Sequence, residues 1–164
     1  MDSTILQLLI DERDITALLH RYCRGVDRLD EELIRSCYYP DSHDDHGTFT
    51  GSGYEFAAHI MRTHKDQPIC QHALTNISLD IQGDVAFGES YSMLRTTREG
   101  KLVFGFGRYI DQFERRVGQW RITRRIVTLE GQDGTSGFDT DQFAKATRNR
   151  LDPSYNREFG KSRK

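Results

Sequence analysis

The chain has 164 residues, of which 36% are hydrophobic and 29% charged, which suits one globular domain with a real core. Its net charge of -2 gives no support to nucleic acid or an acidic membrane surface as the main partner. No apolar run approaches the roughly 20 residues that a membrane span needs. Cys23, Cys37 and Cys70 are odd in number and scattered, and the N-terminus lacks the basic start and apolar core of a signal peptide. The sequence therefore predicts a reducing, cytoplasmic environment.

The first part of the sequence predicts three helices. Apolar residues repeat at helical spacing over 15–26, and Gly25, a poor helix-interior residue, is expected to end or bend this first helix. Asp30 is expected to cap a short second helix over 31–38. Ser52 is expected to cap a third helix, which Pro68 follows.

The second part predicts strands. A weak strand pattern covers 43–50, and from residue 69 the apolar period changes from 3.6 to 2. Expected turns at 83–84, 99–100 and 117–118 divide the chain up to residue 130 into an antiparallel meander. Helices followed by strands indicate an α+β domain, in which about three helices cover the concave face of a strongly bent antiparallel sheet. Such a cone-shaped barrel has an open end that forms a natural apolar pocket.

After residue 130 the periodic pattern disappears. We assign 1–130 to the cone-shaped domain and 131–164 to a polar, partly basic extension, with one short helix near 141–150. Two alternatives remain open for the extension: a loosely packed tail, or an arm over a neighbouring subunit or over the mouth of the pocket.

The best candidate for a general base is His72, at the start of a strand. A neutral imidazole accepts a proton near pH 7, and it needs an acceptor on its second nitrogen to orient it. Asp27 is the candidate for that acceptor, although a structural histidine beside a capping aspartate fits the same pattern. Tyr22 and Asp27 would lie roughly 140° apart on a regular helix, so they can face one pocket only if the helix breaks near Gly25. Without that break, Tyr22 is a core residue with its hydroxyl at the pocket rim.

Two other polar positions allow more than one interpretation. His43 and His46 resemble a metal cluster, but on a strand they point to opposite faces, so we predict no metal site and place His46 at the pocket rim or on a solvated loop. Arg125 could stabilise a developing anion in an apolar wall, or it could form a cross-strand ion pair with Asp111 or Glu114.

Several motifs together resemble the SnoaL-like branch of the nuclear-transport-factor-2-like superfamily, over about residues 5–130. They are Tyr22 with Gly25-Val26-Asp27, His72 in Ile69-Cys70-Gln71-His72, the stretch 109–116, and Gly118-Gln119-Trp120 with Arg125. The chain is similar in these motifs to hexachlorocyclohexane dehydrochlorinase, scytalone dehydratase and bile-acid 7α-dehydratase. The resemblance implies a cone-shaped barrel, often dimeric or trimeric.

The resemblance also implies roles for individual residues. His72 would be the base, Asp27 its orienting partner, Tyr22 an acid or leaving-group contact, and Arg125 an anion contact. Five further residues are expected in the substrate-binding wall: Leu74, Asn76, Met93, Phe104 and Phe106.

The leading hypothesis is a cofactor-independent lyase of the dehydratase type, acting on an apolar, ring-containing small molecule. An isomerase with the same His–Asp pair and a polyketide cyclase are close alternatives. A non-catalytic ligand-binding or protein-interaction module of the same fold is the alternative of a different class.

Overall fold

Three helices pack against one six-stranded sheet. The computed structural model describes residues 3–68, 70–98, 100–133 and 139–157. The helices are α1 (Ser3–Arg28), α2 (Glu31–Arg35) and α3 (Gly53–Thr63). The strands are β1 (Tyr38–Asp45), β2 (Thr50–Gly51), β3 (Cys70–Gln82), β4 (Val85–Arg98), β5 (Lys101–Arg116) and β6 (Gln119–Gln132). The predicted α+β class and order of elements are confirmed; the expected positions of Ile69 and Glu99 lie outside the described residues.

The sheet has the strand order β2-β1-β6-β5-β4-β3 and does not close on itself within the described chain. Strands β3 to β6 form the predicted antiparallel meander. Strand β1 lies outside this meander. It pairs with β6 in parallel, which makes the sheet mixed. It begins at Tyr38, so α2 ends earlier than the expected range of 31–38.

Helix α1 does not end at Gly25, contrary to the sequence-based expectation. It continues to Arg28, and the chain leaves it through Leu29, which has a φ of 53°. The reason for glycine at position 25 is packing, since a Cβ there would lie 2.8 Å from Cγ1 of Ile34 in α2. The glycine thus lets α2 lie directly against α1 rather than breaking the helix.

The core lies between α1, α3 and the concave face of the sheet. The predicted apolar stripe of α1 is buried, with Ile15, Leu18 and Tyr22 no more than 1% exposed. Helix α3 begins with the predicted cap, because Ser52 and Glu55 form a reciprocal capping box. Together these features fix α1 and α3 as one wall of the space enclosed by the sheet.

Strand β3 contains a bulge that decides which side chains face inward. Its pairing with β4 shifts register between Thr75 and Ser78, and Asn76 has a φ of 49°. Before the bulge the even-numbered residues, such as His72 and Leu74, face inward. After it the odd-numbered residues, such as the core-packed Ile77, face inward. A single extra residue therefore lets both halves of β3 direct their apolar residues to the concave face.

The described part of the extension, 139–157, packs on the sheet. It contains two 3-10 turns, Thr140–Gln142 and Pro153–Tyr155, in place of the α-helix expected near 141–150. Asp152 is 3% exposed and binds the Arg108 guanidinium at 3.0 and 2.8 Å. Residues 134–138 and 158–164 lie outside the described chain. No described helix has the length and apolar character that a membrane crossing would require.

Candidate active site

A cavity of about 140 Å³ opens between the helices and the concave face of the sheet. A buried apolar space of about this size accommodates one benzene-sized ring. Its apolar walls include Val26, Ile60, Leu94, Val127, Leu129 and Phe143. Its polar walls include Tyr22, Ser92 and the four histidines His46, His59, His64 and His72. The cavity therefore combines apolar walls with several side chains that can accept or donate a proton.

Glycines on β5 make room for this cavity. Gly105 and Gly107 lie on its wall, where they pair with Leu94 and Ser92 of β4. A Cβ at Gly107 would lie 1.9 Å from the carbonyl oxygen of Thr128, because β6 approaches closely at a register shift. The close approach that glycine in a strand predicts is present here.

His72 and Asp27 form the first His–Asp pair. The Nδ1 atom of His72 lies 2.7 Å from Oδ1 of Asp27, and the backbone N–H of His72 donates to both carboxylate oxygens at 3.1 Å. The carboxylate only accepts, so Nδ1 carries the ring proton. Nε2 is then the nitrogen with a free lone pair on a side chain that lines the cavity.

Tyr22 and Asp27 reach the site from one unbroken helix. Tyr22 lines the cavity directly, whereas Asp27 lies behind His72 and is absent from the cavity wall. This agrees with the expectation that an unbroken helix cannot turn both side chains into one pocket, since only Tyr22 faces the cavity. Asp27 does not need to face the cavity itself, because it contacts only Nδ1 of His72, and the His72 side chain lines the cavity.

A second His–Asp pair lines the same cavity. His46, directly after β1, directs Nδ1 at a very short distance to Oδ1 of Asp44, and its Nε2 lies 3.1 Å from the Tyr22 hydroxyl. The other Asp44 oxygen accepts from the Tyr38 hydroxyl at 2.5 Å. His46 also stacks on Phe56, with ring centroids 4.1 Å apart. Contacts at both ring nitrogens and on one ring face thus fix the orientation of the His46 imidazole. His43, the other member of the suspected metal cluster, is exposed.

Arg125 does not reach the cavity. It is fully buried, its guanidinium binds both oxygens of Asp111 at 2.7 and 2.8 Å, and it lies 4.2 Å from the ring centroids of both Tyr22 and Tyr109. The cross-strand ion pair, one of the two sequence-based alternatives, is present. Arg125 is not among the residues that line the cavity, and it packs against the Tyr22 ring instead.

The substrate-binding wall was predicted on the wrong face at three positions. Met93, Phe104 and Phe106 alternate with the cavity-lining residues of β4 and β5, so they lie on the outer face; Met93 is 39% and Phe106 44% exposed. Asn76 is exposed at the β3 bulge. Leu74 packs against the core beside His72 but is not part of the cavity wall.

His64 and His59 are cavity residues that we did not predict. Burial lowers the pKa of His64 to about 4, and neighbouring histidines add to this shift. Its Nδ1 is buried without a hydrogen-bond partner in the described residues. Burial also lowers the pKa of His59. His64 is therefore a cavity-lining histidine that is neutral near pH 7 and has one buried nitrogen without a partner in the described residues.

The buried His64 should make stability depend on pH. Between a folded pKa of about 4 and an unfolded pKa near 6.5, the unfolded chain binds more protons, so the free energy of unfolding falls as pH decreases through this window. We expect His64 to contribute a loss of about 2 kcal/mol between pH 7 and pH 5. Urea unfolding at both pH values should show a smaller pH dependence for His64→Gln. The same substitution at the exposed His43 should leave the pH dependence unchanged.

Among the residues that the structure describes, one group has metal-ligand chemistry, namely Asp27, Cys70 and His72. However, burial raises the pKa of the Cys70 thiol to about 12, and the thiol hydrogen-bonds to Asp27. A neutral thiol is a poor ligand, because metal ions bind the thiolate. Asp27 and Nδ1 of His72 also already satisfy each other. These residues fit the His–Asp pair better than a metal centre.

The second His–Asp pair had a readable signal in the sequence. Alternate residues of a strand share a face, so Asp44 and His46 could have been paired by their spacing of two. Attention to His43 and His46, which are three apart, obscured that pairing. His64 was signalled by its position on the apolar face of the third predicted helix.

Solved structures with the same fold support the architecture. A hexachlorocyclohexane dehydrochlorinase from Novosphingobium barchaimii LL02 is 20% identical, with a TM-score of 0.71, covering 81% of this chain and 95% of its own. A candidate scytalone dehydratase from Novosphingobium aromaticivorans is 19% identical, with a TM-score of 0.69, covering 76% and 87%. An NTF2-like protein with a cystatin-like fold from the same organism is 26% identical, with a TM-score of 0.66, covering 82% and 90%. At these identities the likeness shows the fold alone.

Sequence comparison gives the family. No curated protein sequence is similar enough to be matched. The profile of the SnoaL-like domain matches residues 7–126, which span α1 to most of β6 and include both His–Asp pairs. The chain therefore belongs to the SnoaL-like domain family.

Proposed function

We propose that this protein is a cofactor-independent lyase that removes a proton from carbon in an apolar small molecule about one ring in size. The observation that carries the proposal is the His72–Asp27 pair, in which Asp27 holds Nδ1 at 2.7 Å and the imidazole belongs to a side chain that lines the cavity. The dehydratase and dehydrochlorinase chemistry in the names of two proteins of similar fold agrees with this proposal.

In the proposed reaction, Nε2 of His72 takes a proton from a carbon beside a carbonyl or aromatic ring. The electrons of the broken C–H bond form a carbon–carbon double bond, and a leaving group departs from the neighbouring carbon. Asp27 keeps the proton on Nδ1 and stabilises the imidazolium that forms. The Tyr22 hydroxyl, on the cavity wall, is positioned to contact the leaving group. An isomerase would share the first step and return the proton to another carbon.

The proposal is tested with a panel of cyclic hydroxy ketones and their chloro analogues in D₂O. NMR should detect alkene formation, together with deuterium incorporation at the acidic carbon. His72→Gln should reduce both by about 100-fold or more, because a positioned general base contributes at least that factor. Ligands that bind in the cavity without exchange or elimination would indicate the binding-module alternative instead. Unchanged turnover in His72→Gln would exclude the assignment of the base.

A further inference from the structure

We propose that Asp44, His46 and Tyr22 form a proton relay that protonates the leaving group, and that the substrate class is accordingly an alcohol that loses water. This inference rests on the proposed elimination and identifies its leaving group. The His72–Asp27 pair supplies a base, and the His46–Asp44 pair, with His46 on the wall of the same cavity, can supply an acid.

The sheet order separates the two pairs. His46 follows β1 and His72 lies on β3, with β6, β5 and β4 between them in the sheet. Both side chains nevertheless line one cavity, because the bent sheet wraps around it. A ring bound there is therefore flanked by one pair on the β1 side and another on the β3 side. Elimination uses this arrangement, since the proton and the leaving group depart from neighbouring carbons.

Tyr22 is a poor acid without help. Burial raises the pKa of Tyr22 well above its ordinary value, and the nearby Tyr109 hydroxyl adds to the shift. A free tyrosinate in this cavity would thus be costly. His46 removes that cost, because its Nε2 lies 3.1 Å from the hydroxyl and can replace the Tyr22 proton as it leaves. Tyr22 then transfers a proton without carrying a charge at any stage.

Two buried carboxylates and one buried cation lie close to Tyr22. Asp44 and Asp111 are both buried, at 0% and 2% exposure, and Arg125 is the buried cation that pairs with Asp111. The other carboxylate, Asp44, contacts Nδ1 of His46 directly, so the proposed relay begins at Asp44. With Nδ1–H bound to Asp44 and Nε2–H donated to the Tyr22 oxygen, the hydroxyl hydrogen of Tyr22 is free for the cavity.

The relay balances the reaction. His72 accepts the carbon-bound proton, the C–H electrons form the double bond, and the C–O bond breaks with its electrons on oxygen. Tyr22 gives its proton to that oxygen, which leaves as water, and His46 gives its Nε2 proton to Tyr22. The active site is reset when His72 loses its proton to solvent and His46 regains one. Hydroxide is a basic leaving group and needs this proton, whereas chloride leaves as a stable anion without one.

The test compares two substrates that differ only in hydroxyl or chloride beside the acidic carbon. His46→Gln should slow the loss of water by about 100-fold or more, with a much smaller effect on the loss of chloride. Tyr22→Phe should show the same selectivity, and it keeps the ring that Arg125 stacks on. His43→Gln and Tyr91→Phe change exposed residues of the same types and serve as matched controls with both rates retained.

Three results would overturn the relay. Equal losses on both substrates would indicate a structural role for His46, and no loss on either would exclude any role in proton supply. A wild-type protein that eliminates chloride but not hydroxide would exclude the substrate class and leave the base assignment intact. By contrast, full activity of His72→Gln on both substrates would contradict the proposed function itself.

Discussion

Replacing Asp27 by Asn should lower turnover by about 10³- to 10⁴-fold, which is the size of effect seen when an orienting aspartate of a catalytic histidine is replaced. The asparagine amide can donate to Nδ1 of His72, so the ring proton moves to Nε2. Nε2, the proposed base, then carries a hydrogen and can no longer accept the substrate proton. The backbone N–H of His72 and the Cys70 thiol, which also bind Asp27, can still use the amide oxygen.

This prediction is checked by kcat for the hydroxyl substrate, together with a thermal melt to show that the variant is folded. Cys70→Ser is the matched control, because it keeps a donor to Asp27 and leaves the His72 tautomer unchanged. We expect that control to retain most of its turnover. If Asp27→Asn were nearly as active as the wild type, Asp27 would be only a structural cap for the start of β3.

Replacing Asp111 by Asn should lower the free energy of unfolding by about 3–5 kcal/mol, the loss typical of breaking a buried ion pair on one side. The Arg125 guanidinium is fully buried and donates two hydrogen bonds to the Asp111 carboxylate. The neutral amide leaves that charge without a counterion in a site from which water is excluded. The guanidinium of Arg125 also lies over the Tyr22 and Tyr109 rings, and these cation–π contacts offset only part of the lost stability.

Urea unfolding with a fitted m-value measures this change directly. Asp141→Asn is the control, because Asp141 pairs with Lys145 on the surface, where the side chains are 89% and 63% exposed. Exposed pairs of this kind contribute roughly 0–1 kcal/mol, so the control should unfold almost like the wild type. Similar small losses for both variants would mean that Arg125 tolerates its burial without Asp111.

The order of elements could be predicted from the sequence because the apolar period changes once, from 3.6 to 2. The pairing of β1 with β6 could not, since it joins residues such as Asp44 and Arg125 that are far apart in the chain. The bulge at Asn76 was also unpredictable from alternation. Each half of β3 follows a regular pattern, and one extra residue between them changes the phase.

The sequence predicted the His72–Asp27 pair correctly but not the residues of the cavity wall. The roles of His72 and Asp27 came from the family resemblance, and the structure places the two in hydrogen-bond contact. The cavity wall was misassigned because we expected large apolar residues such as Phe106 to face inward. Ser92, Gly105 and Gly107 occupy inner positions of β4 and β5 beside the larger Leu94, whereas Met93, Phe104 and Phe106 lie on the outer face.

The C-terminal segment and the proposed proton-transfer residues come from different parts of the chain but line the same cavity. Phe143 contributes to the cavity wall from a stretch that is anchored separately, through the buried Asp152 and its bonds to Arg108. Every proton-transferring side chain described above comes from the first half of the chain, before β4. Under the proposed mechanism, substitutions around Phe143 should therefore change which molecules fit the cavity while the proposed acid and base keep their positions.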